Sequence, residues 1–330
     1  MSGSQAKPVP LAELHCHLEG TVEPGEARLL ADRHRIDISK VLDEAGRYRW
    51  TTFTDFLTVY DAVSEVIRTA EDYYEITYAY FTRMAARGLI YGEVFVSPAH
   101  AGRFGLSYPA LIDAVASAMK AAEAGAGVVG RIIVTGVRHY GAEHVAEVAK
   151  AASDHPHPYV TGFGLAGDEA FGRNADFAQS FAIALDAGLG LTAHVGEILG
   201  AASIRDALDH LGVTRLGHGV RAIDDPSLLA ELAERGVVLE VCPTSNVAIG
   251  LYPSIAAHPV KALIEAGQTV TLNSDDPAFF GVDLADEYRL VAEAHGFDEA
   301  ALRAFTKNAI KAAFCDSQTR ARLRARLGEG

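Results

Sequence analysis

Eight short runs of apolar, partly β-branched residues recur along this chain, each ending in a loop of Gly, Pro, Asp or Ser. In order they read "PLAELHCHLEG", "GLIYGEVFVSP", "VVGRIIVTGVRH", "YVTGFGLAGDE", "GLTAHVGE", "TRLGHGV", "VVLEVCPTSN" and "QTVTLNSDDP". Helical stretches such as "YPALIDAVASAMKAAEAG", "PSLLAELAERG" and "PVKALIEAG" lie between them, and several close on glycine, as a helix C-terminus prefers. The strand-to-strand repeat of roughly 25–40 residues is the length of a βα unit. Such alternation leaves a closed barrel or a doubly wound open sheet. No GxGxxG or GxxxxGK[ST] follows a first strand, so nothing argues for the open sheet. We therefore expect an α/β fold, a (β/α)8 barrel, as a single domain over residues 1–330. A barrel typically takes about 250 residues. The surplus falls in a helical excursion after the first strand, residues 21–87, and in a helical tail after Pro277.

Composition excludes several classes. With 49% hydrophobic and 22% charged residues the chain suits a globular enzyme, not a disordered segment. A net charge of −14 repels phosphate backbones and anionic lipid, so neither nucleic acid nor membrane is an expected partner. Three cysteines, Cys16, Cys242 and Cys315, form no CxxC pair and suit a reducing, cytoplasmic setting. The first fifteen residues lack the basic and apolar regions of a signal peptide, and no apolar run approaches the roughly 20 residues that span a bilayer.

Catalytic groups of a parallel barrel sit at the C-terminal ends of its strands. Those ends carry His15 and His17, then His194 with Glu197, then His218, then Asp275 and Asp276. Residues two apart on a strand share a face, so His15 and His17 both point at the barrel axis. With His194 and Asp275 they make a set of three imidazoles and a carboxylate, suited to one zinc ion with room for water. Glu197, just past its strand, is a candidate proton donor or acceptor. His218, between two glycines, is aimed inward and could polarise the nucleophile. Asp276 faces the other way from Asp275, towards substrate. His139 follows the third strand and is a candidate for the mouth. His100 and His144 have no nameable partner, and His34, His155, His157, His210, His258 and His295 read as solvated. In "FTDFLTVYD", Phe53, Phe56, Leu57 and Tyr60 share one helical face.

Together, "ELHCHLEG", "FGLAGDE", "TAHVGE", "RLGHGVR", "EVCPTSNV" and "LNSDDP" make the chain resemble the adenosine deaminase family of the metal-dependent amidohydrolase superfamily, along nearly its whole length. The resemblance implies one zinc held by His15, His17, His194 and Asp275. It implies that Glu197 protonates purine N1, that His218 orients and activates the water, that Asp276 bonds N7 and that the Gly167 backbone bonds N3. It also makes the Phe56 and Tyr60 face part of an apolar lid. No lysine follows the fourth strand, unlike two-metal relatives, and the H-x-E with P-C-x-x-C of cytidine-type deaminases is absent. The chain departs from the family where Glu19 replaces an Asp near the ribose, Gly164 an Asp, Phe95 an Arg and Val195 an Ala. The expected reaction is hydrolytic deamination of adenosine and 2′-deoxyadenosine, a small-molecule purine chemistry. The alternative is deamination of free adenine or another 6-aminopurine. A catalytically silent purine-binding relative stands third.

Overall fold

In the computed structural model, which describes residues 9–328, all eight anticipated strands form. They are β1 (Leu11–Glu13), β2 (Leu89–Val96), β3 (Val129–Val137), β4 (Val160–Ala166), β5 (Gly190–Val195), β6 (Arg215–His218), β7 (Val238–Val241) and β8 (Thr269–Leu272). Each pairs in parallel with the next in chain order. A bridge between Cys16 and Asp275 closes the ring. There the His17 amide donates to the Asp275 carbonyl at 2.8 Å and the Asp275 amide to that of His15 at 3.1 Å. The closed (β/α)8 barrel is thus the fold, not the open sheet. Strand β2 is buried at every position, as a parallel strand under helices on one side and barrel interior on the other must be.

The excursion after β1 holds three α-helices, each with a legible start. Helix α1 (Pro24–His34) has Pro24 in its first turn and a Glu23–Glu26 capping box. The Thr52 hydroxyl caps α2 (Phe53–Ser64), and a Thr69–Asp72 box starts α3 (Ala70–Ala86). The tail after Pro277 contains helices Leu284–His295, Glu299–Ala312 and Ser317–Arg326, capped by Asp283, Asp298 and Asp316. No helix among the described residues is long and apolar enough to cross a membrane.

Two non-glycine residues at the C-terminal mouth sit in left-handed backbone conformation, His218 at φ 60° and Asp275 at φ 62°. Such positions cost energy for residues with a Cβ and persist where the surroundings impose them. Both belong to the cluster described next.

Candidate active site

Strand ends bring four ligand-type atoms of His15, His17, His194 and Asp275 within 4.8 Å of one another. Asp275 Oδ1 lies 3.3 Å from Nε2 of both His15 and His17, and the His17 and His194 Nε2 atoms are 3.0 Å apart. The orienting bonds lie behind the ligands. His15 Nδ1 is 2.9 Å from Glu240 Oε2, His194 Nδ1 donates to the Leu165 carbonyl at 2.9 Å, and Ser245 Oγ donates to Asp275 Oδ2 at 2.7 Å. The packing is close enough to dictate residue type: a Cβ on Gly217 would lie 2.7 Å from His15 Cε1, so only glycine admits the ring. Phe95 stacks on His17 with ring centroids 5.0 Å apart, and a Cβ on Gly164 would meet Phe95 at 2.7 Å. The Phe95 and Gly164 departures noted in the sequence are therefore one matched change.

A metal ion fits this donor set. His15 Nε2 is buried and makes no hydrogen bond among the described residues. Burial opposes a charge on His15, yet Asp275 and Glu240 outweigh it and raise its pKa to about 9, so the cluster attracts a cation. Three imidazole nitrogens and one carboxylate oxygen are the ligands of a zinc-type catalytic site. A second grouping of His15, His218, Cys242 and Asp275 is geometrically possible, but burial pushes the Cys242 thiol well up, away from the thiolate that binds metal.

Beside the cluster, Glu197 is buried, and burial followed by the charges of Asp275 and Glu169 pushes its carboxyl well above the ordinary range. Its position is fixed by Glu169, whose carboxylate accepts the backbone amides of Gly196, Glu197, Ile198 and Leu199. Asn246 Nδ2 donates to Glu197 Oε1 at 3.1 Å and lies 3.2 Å from His218 Nδ1. His258 Nε2 in turn meets Asn246 Oδ1 at 3.1 Å. Burial pushes the His218 pKa down to about 3, so its ring is neutral, with Nε2 turned to Asp275 Oδ2 at 3.9 Å.

Asp276, next to Asp275, is buried and lines the same cavity. Burial and then the charge of Asp275 push its pKa well up, and its Oδ1 has no hydrogen bond among the described residues. It lines the same cavity as Gly167, Glu19, Phe56, Tyr60 and His139. Every candidate residue from the sequence thus falls at one mouth. Several expectations need correction. His144 has a partner, Glu147 at 3.8 Å, and His34 and His295 are not free in solvent but sit half-buried, His34 on Asp72 at 2.7 Å and His295 on the Ile255 carbonyl at 2.8 Å. His258 is buried, not solvated, because its ring supports Asn246. His100 has a partner, Asp61 Oδ1 at 3.2 Å, which α2 brings across from the excursion. Glu169, Glu240, Ser245 and Asn246 went unassigned as site residues. Their only signal was membership of "FGLAGDE" and "EVCPTSNV", since their roles arise from contacts 28 to 225 residues away in the chain.

Fold and site together define a metal-ligating barrel hydrolase of the amidohydrolase type. Residues 10–329 match the adenosine deaminase family. The chain is 48% identical over 318 residues to an adenine deaminase of Agrobacterium fabrum, covering 96% of this chain and 98% of that one. Among solved structures, an adenine deaminase from Arthrobacter aurescens superposes with TM-score 0.90 at 31% identity, covering 97% of this chain and 98% of that one. A Burkholderia ambifaria amidohydrolase with bound zinc gives TM-score 0.88 at 27% identity, with coverage of 99% and 94%. This chain belongs to the adenosine deaminase family and is a deaminase-type hydrolase.

Those relatives overturn one expectation. Adenosine and 2′-deoxyadenosine are not the substrates the comparisons favour; both the full-length relative and the solved neighbour are adenine deaminases. One of the sequence departures, Glu19, lies at this site. It is buried, and its oxygens face Tyr60 Oη at 3.3 Å, Tyr73 Oη at 3.4 Å and the Ser97 amide at 3.4 Å.

Proposed function

We propose that this protein hydrolyses adenine to hypoxanthine and ammonia, as one catalytic domain with one zinc ion held by His15, His17, His194 and Asp275. The observation that carries this reading is the pairing of two buried carboxyl groups held protonated, Glu197 and Asp276, with a cation-seeking ligand cluster in one small cavity. The relationship to adenine deaminases supports the free base as substrate.

When bound, zinc supplies Lewis-acid activation of water at neutral pH. The chain's own residues do the rest. Glu197, neutral by burial, donates its proton to purine N1, which drains electrons from C6 and prepares it for attack. The bond from Asn246 makes His218 Nδ1 an acceptor and leaves the ring proton on Nε2, facing Asp275, where it steadies charge building on the attacking oxygen. Asp276, protonated and unpartnered at Oδ1, donates to N7, and the Gly167 amide donates to N3. Water then adds at C6, one of its protons restoring Glu197; the other passes to the exocyclic nitrogen as its bond to C6 breaks, leaving the C6 carbonyl and ammonia. The apolar face of Phe56 and Tyr60 excludes bulk water.

Glu19 selects the base. A free purine carries an N–H on its five-membered ring, and a nucleoside carries ribose there. The Glu19 contacts of 3.3 to 3.4 Å are long, so the carboxylate retains acceptor capacity towards the cavity. The test is Glu19→Gln assayed on adenine and 9-methyladenine. The variant should lose at least tenfold in kcat/KM on adenine and much less on 9-methyladenine. Equal losses on both would remove Glu19 from base recognition.

A further inference from the structure

The barrel interior contains a line of charge that continues behind Glu240, the residue that meets His15. Glu93 on β2, Arg215 on β6 and Glu240 on β7 are each no more than 1% exposed. Arg215 Nη2 lies 2.7 Å from Glu93 Oε2, and its Nε lies 2.5 Å from Glu240 Oε1. The other Glu240 oxygen, Oε2, accepts from Thr192 Oγ1 at 3.0 Å and meets His15 Nδ1 at 2.9 Å. At the far end, the Phe314 ring centroid is 3.5 Å from the guanidinium carbon, and the Phe314 amide and Tyr91 hydroxyl both donate to Glu93 Oε1. The line thus runs from the floor of the barrel to one ligand of the metal site.

Packing alone does not account for it. Barrel interiors are filled mostly by Val, Ile and Leu, and a buried ion pair is often no more stabilising than apolar residues of the same volume. What the line does supply is direction. A carboxylate only accepts, so His15 must carry its ring proton on Nδ1 and donate it to Glu240. In the neutral ring that a metal would bind, that leaves the lone pair on Nε2, the atom facing Asp275 and lacking a hydrogen bond. The two other ligand histidines have no such backing. His194 donates to a neutral carbonyl, and His17 rests on the face of Phe95.

We propose that Glu240, pinned by Arg215 and Thr192, is the positioning residue of the metal site: it fixes the tautomer and orientation of His15 and strengthens its Nε2 as a donor. This rests on the metal-site reading given above. Outer carboxylates of this kind contribute about 10–100-fold to metal affinity.

The experiment measures Zn2+ affinity by chelator competition on metal-depleted full-length protein, for the parent, Glu240→Gln and Thr192→Val. Glu240→Gln should bind zinc about 10–100-fold more weakly, and Thr192→Val, which removes one bond to the same oxygen, should bind it a few-fold more weakly. The visible absorption of the Co2+-substituted Glu240→Gln protein should also shift, because the donor strength of one ligand changes. A purely structural role would instead lower the melting temperature of the metal-free protein while leaving affinity and spectrum alone, and that pattern overturns the proposal. If Glu240→Gln does not fold, Thr192→Val decides, and parent-like zinc affinity in that variant overturns it equally. Failure of the parent to bind zinc would instead overturn the metal site itself.

Discussion

Burial pushes the carboxyl pKa values of Glu197 and Asp276 well up, and Asp275, adjacent to one of them in sequence, is the opposite case. Burial works against its charge, but His15 and His17 outweigh that and hold it well below the usual range. The pKa values of neighbouring aspartates thus move in opposite directions because one faces imidazoles and the other faces carboxylates. Two expectations follow at this scale. Glu197→Gln should bind zinc normally, measured by elemental analysis, while kcat falls by at least about 10³-fold, because the amide cannot release the proton that N1 needs. Asp275→Ala should lose zinc, since it removes the only carboxylate among the proposed ligands; full zinc content would reassign the site. Residues of this class were legible in the sequence because histidines and acids at strand ends are rare enough to register. Glu240, Asn246 and Glu169 were not, since each acts on a partner far away in the chain and nothing in their local sequence marks a function.

Among the elements, all eight strands were legible from their apolar runs, but their lengths were not. "PLAELHCHLEG" contributes only Leu11–Glu13 as continuous strand: the Leu14 amide turns to the Asn273 side chain at 2.9 Å, and pairing resumes as single bridges at Cys16 and His17. The helical face of Phe53, Phe56, Leu57 and Tyr60 was legible from spacing, whereas what it covers was not. In the structure α2 lays it over the cavity, where Phe56 packs among Trp50, Tyr60, Phe279 and Phe280. Phe56→Ala should cost about 3 kcal/mol of stability by thermal or chemical denaturation, and should raise KM by opening the site to water. A pH effect belongs to the helix Leu284–His295. Its Glu287 is completely buried, accepts the Thr244 amide at 2.9 Å, and steadies the short helix Pro243–Ala248 that carries Ser245 and Asn246. Burial raises its pKa to about 7. The folded state therefore holds this proton more tightly than the unfolded chain, whose ordinary value is 4.5. Its favourable share is complete below pH 4.5 and is lost as pH rises through about 7. Melting temperature followed across that window should fall in the parent and stay flatter in Glu287→Gln.

At the scale of the whole molecule, a closed ring of strands turns distant parts of one chain into a single small chamber. Residues 15, 194, 218 and 275 meet there because each lies at or just past the C-terminal end of a different strand. The barrel and its deaminase chemistry were therefore legible from the order of the motifs alone. Substrate choice was not. The sequence put adenosine ahead of adenine, and the relationship to adenine deaminases reversed that order. Around Glu19, a departure that the sequence does show, Tyr73 comes in from α3, in the excursion. The most direct measurement is the rate of loss of the 6-amino group from adenine, adenosine and 2′-deoxyadenosine, followed by ultraviolet absorbance on the zinc-loaded protein. A site built around an N–H donor should favour adenine by at least about a hundredfold in kcat/KM. Equal or faster conversion of either nucleoside would contradict the account.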